Sequence, residues 1–187
     1  MNIAIVGATG NVGRKTLEVL EKKDLPIDNL YLVASSKSVR KKIKFKGVDH
    51  EIYDLESFDF SRVKICFFAA GGKISEKFAE KAAKNCLVID NSSHFRMDPD
   101  VPLIVPQVNS EDLKTIKKNI VANPNCSTAQ LVIALKPLHD LFSIKRIVVS
   151  TYQSVSGGGK APMDELIEQT KLVLDGKKVK SKNFTKQ

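Results

Sequence analysis

The sequence has no tryptophan, and aromatic residues make up only 6% of it. No apolar run approaches the ~18–20 residues that a membrane helix needs, which argues against a membrane protein. The three cysteines show no pairing pattern, so a disulfide framework is not expected and a reduced, cytoplasmic setting is. The N-terminus carries neither a basic region nor a cleavage site, so it does not read as a secretory signal. Histidine is scarce as well. His50, His94 and His139 are the whole supply, which leaves few candidates for imidazole chemistry. No internal repeat is visible, and no metal-ligand cluster is expected.

What is present is ordinary for a globular chain. It has 187 residues, 42% hydrophobic and 27% charged, enough for one domain or one domain and part of another. The net charge of +9 is local. Residues 37–46 hold Lys37, Arg40, Lys41, Lys42, Lys44 and Lys46 without an acid, and residues 171–187 hold six lysines against Asp175. The rest is close to neutral. The C-terminal lysines lack interleaved aromatics, since Phe184 stands alone, so nucleic-acid binding is not expected.

Apolar periodicity predicts alternating strands and helices. Strands are expected over Ile3–Val6, Asn29–Val33, Val63–Ala69, Cys86–Ile89 and Ile120–Ala122. Helices are expected from Val12 to Leu20, Ser75 to Lys84, Ser110 to Lys118, Ser127 to His139 and Pro162 to Leu174. Residues 98–109, with three prolines, read as extended or looped. Ile144 to Gln153 reads as a long β-rich run, and Gly176 to Gln187 as a polar tail that returns to no core element. The order argues for an α/β fold with a parallel sheet covered by helices.

Gly7, Gly10 and Gly13 directly follow the first strand and open the first helix. A dinucleotide site needs glycines there for a tight turn, phosphate approach and close helix packing. An NAD site usually places Asp or Glu at the end of the second strand. This chain has Ser35, Ser36, Lys37, Ser38 and Arg40 instead, a set suited to a 2′-phosphate, so NADP is predicted. Lys42, Lys44 and Lys46 are read as solvated.

Cys66 and Cys86 read as inert buried thiols. Cys126 differs, because it follows Asn-Pro-Asn and begins a helix. A helix N-terminus favours a thiolate, and the N–H groups of residues 126–128 suit an oxyanion. Cys126 is therefore a candidate nucleophile, or else a helix cap. His139 is about 20 Å along the same helix at 1.5 Å per residue. His50 reads as exposed, and His94 is a weak candidate base. Arg96, beside Asn91 and two serines, suits a phosphate or carboxylate anchor. Gln153, Ser154, Ser156 and Gly157 form a further polar group.

Five blocks in order give a resemblance to the aspartate-semialdehyde dehydrogenase family. They are Gly7-Ala8-Thr9-Gly10-Asn11-Val12-Gly13, Asp90-Asn91-Ser92-Ser93 with Phe95-Arg96, Val101 to Asn109, Asn123 to Thr128, and Ser150 to Gly157. The resemblance implies a Rossmann-type, doubly wound NADP-binding domain over 1–126. The start of an α/β catalytic and dimerisation domain would follow over 127–187. It implies interconversion of L-aspartyl-4-phosphate and L-aspartate 4-semialdehyde plus phosphate, toward lysine, threonine and methionine. In this likeness Cys126 matches the acyl-enzyme nucleophile, Arg96 and Asn125 match phosphate-binding positions, and Gln153 matches the substrate-orienting glutamine. Gly7, Thr9, Gly10, Asn11 and Val12 match the cofactor loop, Ser35, Lys37 and Ser38 the 2′-phosphate region, and Ser156 and Gly157 a second cofactor contact. The family's catalytic histidine, a glutamate and a second arginine would lie beyond Gln187, and a homodimer is implied for the full-length protein. N-acetyl-gamma-glutamyl-phosphate reductase has similar logic, but usually glycine where Asn125 stands. A catalytically silent NADP-binding module is the other alternative.

Overall fold

The computed structural model describes residues 1–23 and 25–184. Thr185 to Gln187, the end of the lysine-rich segment, lie outside the described residues. The chain forms two compact units, Met1–Ile147 and Val148–Gln187.

The first unit is an α/β sandwich around one seven-stranded sheet. Its strands are β1 (Asn2–Val6), β2 (Asn29–Ala34), β3 (Lys42–Phe45), β4 (Val48–Asp54), β5 (Ile65–Phe68), β6 (Leu87–Asp90) and β7 (Ile120–Ala122). The spatial order is β3-β4-β2-β1-β5-β6-β7. All pairings are parallel except β3 with β4. Without the antiparallel edge strand, the order is that of a Rossmann fold, with its switch point between β1 and β5. The fold class expected from sequence is borne out.

β1 shows why its run is continuously apolar. Ile3 and Ile5 enter the core layer with Leu17 and Leu20 of helix α1 (Asn11–Lys22). Ala4 and Val6 enter the opposite layer with Phe78, Ala79 and Ala82 of helix α2 (Gly72–Ala83). A strand buried on both faces has no polar positions to alternate. The buried stripe of α1 is Gly13, Leu17 and Leu20. Val12 and Val19, grouped with it by spacing, are 51% and 46% exposed.

Several expectations are corrected. Residues 42–54 form a β-hairpin rather than a solvated basic stretch. Lys46 and Gly47 both have positive φ, as a type I′ turn requires. Lys42, Lys44 and Lys46 are exposed, as expected, while Ile43 and Phe45 point inward. His50 is half-buried on β4, with its ring 5.9 Å from that of Phe45. Between 98 and 118 a helical turn α3 (Pro106–Asn109) leads into a 3-10 turn at Ser110–Thr115, not a longer helix. Helix α4 (Cys126–Phe142) follows β7.

Ile144 to Gln153 is not a strand. Strands persist by ladder hydrogen bonds to a neighbour, and no described residue supplies one here. The second unit consists of a 3-10 turn at Val155–Gly158, helix α5 (Lys160–Leu174) and the segment after it. That segment does return. The N–H groups of Lys182 and Asn183 donate to the Glu165 carboxylate on α5, at 2.6 and 2.7 Å. Among the described residues, no helix is long and apolar enough to cross a membrane.

Candidate active site

The candidate residues of the first unit gather at the C-terminal ends of the parallel strands. Gly7 follows β1 with φ 86°, and a Cβ there would sit 2.7 Å from the Ala69 carbonyl carbon, at the end of β5. Gly13 has no room either, because a Cβ would overlap the Gly7 carbonyl oxygen. The loop between them is therefore drawn tightly over the switch point. Gly10 occupies the cap position of α1, and no side chain caps that helix. Thr9 is half-buried, and its carbonyl accepts from Arg14 Nε at 3.2 Å. Arg14 is a brace that the glycine spacing did not reveal.

The loop is also joined to β2. Gly7 N–H donates to the Val33 carbonyl at 2.8 Å. Ser35 and Lys37 are exposed just beyond that strand, whereas Ser38 is buried in the 3-10 turn Ser36–Ser38. No carboxylate closes β2. By register the acid opposite Ala34 is Asp54, whose Oδ1 accepts the N–H of Glu56 at 3.4 Å.

On the other side of the switch point, the turn after β7 leads to the candidate nucleophile Cys126 at the start of α4. Asn125 caps α4, accepting the Ser127 N–H at 3.0 Å and the Ser127 hydroxyl at 2.8 Å on Oδ1. Such a cap stabilises a helix by about 0.5–2 kcal/mol. Cys126 is thus the first helical residue and not the cap. Its exposed thiol donates weakly to Asn125 Oδ1 at 3.7 Å. The cap also takes one of the three amides expected to face an oxyanion, leaving those of Cys126 and Thr128.

Arg96 is half-buried and held by main-chain oxygens. Nε donates to the Asn123 carbonyl at 3.0 Å and Nη2 to the Asn91 carbonyl at 3.2 Å. Asn123 Nδ2 donates to Asn91 Oδ1 at 2.9 Å. These bonds tie the loop after β6 to the turn that ends at Cys126. Asn91 and Asn123 belong to the second and fourth of the five sequence blocks, where residue type alone assigns them no role. The sequence signal for their pairing is that each immediately follows a strand.

The other cysteines are structural. Burial pushes the Cys66 thiol up, and its hydrogen bond to Cys86 adds to this while lowering the Cys86 thiol. His94 is exposed and edge-on to Phe95. His139 lies thirteen residues beyond Cys126 on the same helix. In the second unit, Ser154 caps its 3-10 turn, and the Ser154 and Ser156 hydroxyls are 2.9 Å apart. The Gln153 side chain lies against Gly157, where a Cβ would be 2.8 Å from Nε2.

Known proteins resemble this chain in sequence and fold. The semialdehyde dehydrogenase NAD-binding domain matches residues 2–116. The chain belongs to the semialdehyde dehydrogenase family. The dimerisation domain of the same family matches residues 135–187. Aspartate-semialdehyde dehydrogenase 2 of Vibrio cholerae is 50% identical over 188 residues, covering 100% of this chain and 56% of that protein. Aspartate-semialdehyde dehydrogenase of Rickettsia bellii is 53% identical over 172 residues, covering 91% and 51%. The crystal structure of the Vibrio cholerae enzyme II complexed with ASA superposes with a TM-score of 0.95 at 49% identity, again over 100% of this chain and 56% of that one. The Candida albicans enzyme, solved with NADP, gives 0.63 at 29% identity over 76% and 48%. This semialdehyde dehydrogenase chain thus spans about half the length of the relatives it matches. The resemblance read from its five blocks is borne out.

Proposed function

We propose that the full-length protein is an NADP-dependent aspartate-semialdehyde dehydrogenase. It interconverts L-aspartyl-4-phosphate and L-aspartate 4-semialdehyde plus phosphate, in the route to lysine, threonine and methionine. The observation that carries this reading is the exposed thiol of Cys126 at the head of a capped helix, joined through Asn123 to the cation of Arg96. Relatives at about half identity bear that enzyme's name.

In this reading, residues 1–126 bind the cofactor and 127–187 begin the catalytic and dimerisation domain of a cytoplasmic homodimer. The Cys126 sulfur attacks the acyl carbon of aspartyl phosphate. A C–S bond forms, the thiol S–H bond and the C–O bond to phosphate break, and phosphate leaves with the C–O electron pair and takes up the thiol proton. Arg96 and the Asn125 amide group meet its charge. The Cys126 and Thr128 N–H groups hold the oxygen that becomes negative at the tetrahedral stage. NADP, when bound, is the two-electron carrier for the acyl carbon. The sulfur leaves again when the reduced adduct collapses to the aldehyde. Gln153 orients the carbonyl.

The glycine loop suits the cofactor, because a Cβ at Gly7 or Gly13 would strike backbone, which keeps the turn tight, and no side chain caps the start of α1. Its pyrophosphate would lie against Thr9, Gly10, Asn11 and Val12 at the start of α1. Ser35 and Lys37, with Ser38 in the same turn, would meet the 2′-phosphate. Ser156 and Gly157 would supply the second contact. The test is covalent trapping. Aspartyl phosphate without cofactor should leave an acyl group on the peptide containing Cys126. An unmodified Cys126 in protein that binds NADPH would instead make the chain a binding module.

A further inference from the structure

The buried carboxylate of Asp90 has no part in the reaction as described, yet it sits at the root of the Arg96 loop. It ends β6 and is 0% exposed. Among the described residues no cation pairs with it. Three donors do instead. The Ser75 hydroxyl on α2 donates to Oδ1 at 2.7 Å. The Ser92 N–H donates to Oδ1 at 3.1 Å, and the Ser92 hydroxyl to Oδ2 at 2.6 Å. Ser92 Oγ in turn accepts the His94 N–H at 3.1 Å. A buried carboxyl group costs free energy unless its oxygens are hydrogen-bonded, and these donors meet both of them.

We infer that Asp90 is a positioning residue for Arg96: bonded to Ser75 of α2 and to the Ser92 turn, it sets the path of residues 91–96 and so the place of the guanidinium. The inference rests on Arg96 being the phosphate anchor. The chain of contacts runs from Asp90 through Ser92 to the His94 backbone, two residues before Arg96. The Asp90 main chain joins in, accepting the Asn123 N–H at 2.8 Å. Asp90 thus ties together both strands whose following residues, Asn91 and Asn123, hold the guanidinium. Phe95, also buried, holds the loop from its other end. The question for experiment is whether that anchor suffices alone.

The test compares Asp90→Ala, Asp90→Asn and Ser92→Ala in the full-length protein, assayed with aspartate semialdehyde, NADP and varied phosphate. Asp90→Ala is expected to raise the phosphate KM about tenfold, equivalent to ~1.4 kcal/mol, with the NADP KM within about twofold. Asp90→Asn should restore most of it, because serine hydroxyls can turn to meet an amide. If Asp90→Ala does not fold, Ser92→Ala carries the test, with the phosphate KM raised about threefold or more. A phosphate KM unchanged in folded Asp90→Ala or Ser92→Ala overturns the inference. So does an equal decline of every parameter, the mark of a purely structural role. If the unsubstituted protein shows no phosphate-dependent turnover, the proposed function has failed, and the role for Asp90 falls with it.

Discussion

Arg96 donates from Nε to the carbonyl of Asn123 at 3.0 Å, and Asn123 stands three residues before Cys126. The cation of one strand-end loop is thereby set by the backbone of the next. A phosphate leaving an acyl group on Cys126 would meet a charge whose place is fixed before the reaction begins, which is how preorganised electrostatics lowers a barrier.

Replacing Arg96 by leucine should therefore act on phosphate. The expected outcome is a phosphate KM raised about tenfold or more, in keeping with the ~1.5–3 kcal/mol of a charged hydrogen bond, with NADPH affinity unchanged. Arg96→Lys should recover only part, because a lysine ammonium cannot reproduce the planar fork. Steady-state kinetics with varied phosphate checks both.

Gly13→Ala should damage the cofactor site. Its Cβ would overlap the Gly7 carbonyl oxygen, a backbone atom that cannot rotate away. Overpacking of this kind costs about 1–3 kcal/mol. A lower melting temperature and weaker NADPH binding by fluorescence titration are expected. Gly10→Ala, where the nearest atom would be 3.3 Å away, should be milder.

Lys37 faces solvent beyond β2. Lys37→Glu places a carboxylate where the 2′-phosphate is proposed to bind. The NADP KM should rise about tenfold, with the NAD KM changed little, since like charges at close range repel. Equal effects on both cofactors would remove Lys37 from that site.

Glu165 gives the second unit a pH dependence. Its carboxyl is held below its ordinary value near 4.5, first by the Lys182 N–H and then, against the cost of burial, by Asn183. A lowered folded pKa stabilises the bonded form above the ordinary range, and that stability is lost as pH falls through the folded value. The amide resonances of Lys182 and Asn183 should stay constant near neutrality and shift at acid pH. Glu165→Gln should shift them at pH 7.

The sheet was legible where the strands are apolar on both faces, although one face of β5 and of β6 is only half-buried. β1, β2, β5 and β6 read as unbroken apolar runs, and the tight loop at Gly7 and Gly13 followed from spacing. The β3–β4 hairpin was missed because the cations at 42, 44 and 46 masked the alternation of Ile43 and Phe45. Ile144 to Gln153 misled for the opposite reason. Its β-branched residues state a propensity, but a strand exists only with a partner. In the site, Cys126 and Arg96 were legible from residue type and neighbours. The Asp90–Ser75 bond was not, since it joins an interior helix position to a strand end fifteen residues away.

The central claim is that Cys126 is the nucleophile of a phosphate-dependent dehydrogenase. The most direct measurement is NADPH formation from aspartate semialdehyde by the full-length protein, with and without phosphate, in the unsubstituted and Cys126→Ala forms. The account predicts turnover that requires phosphate and vanishes in Cys126→Ala, while that variant still binds NADPH. Turnover that persists in Cys126→Ala, or that ignores phosphate, would contradict it.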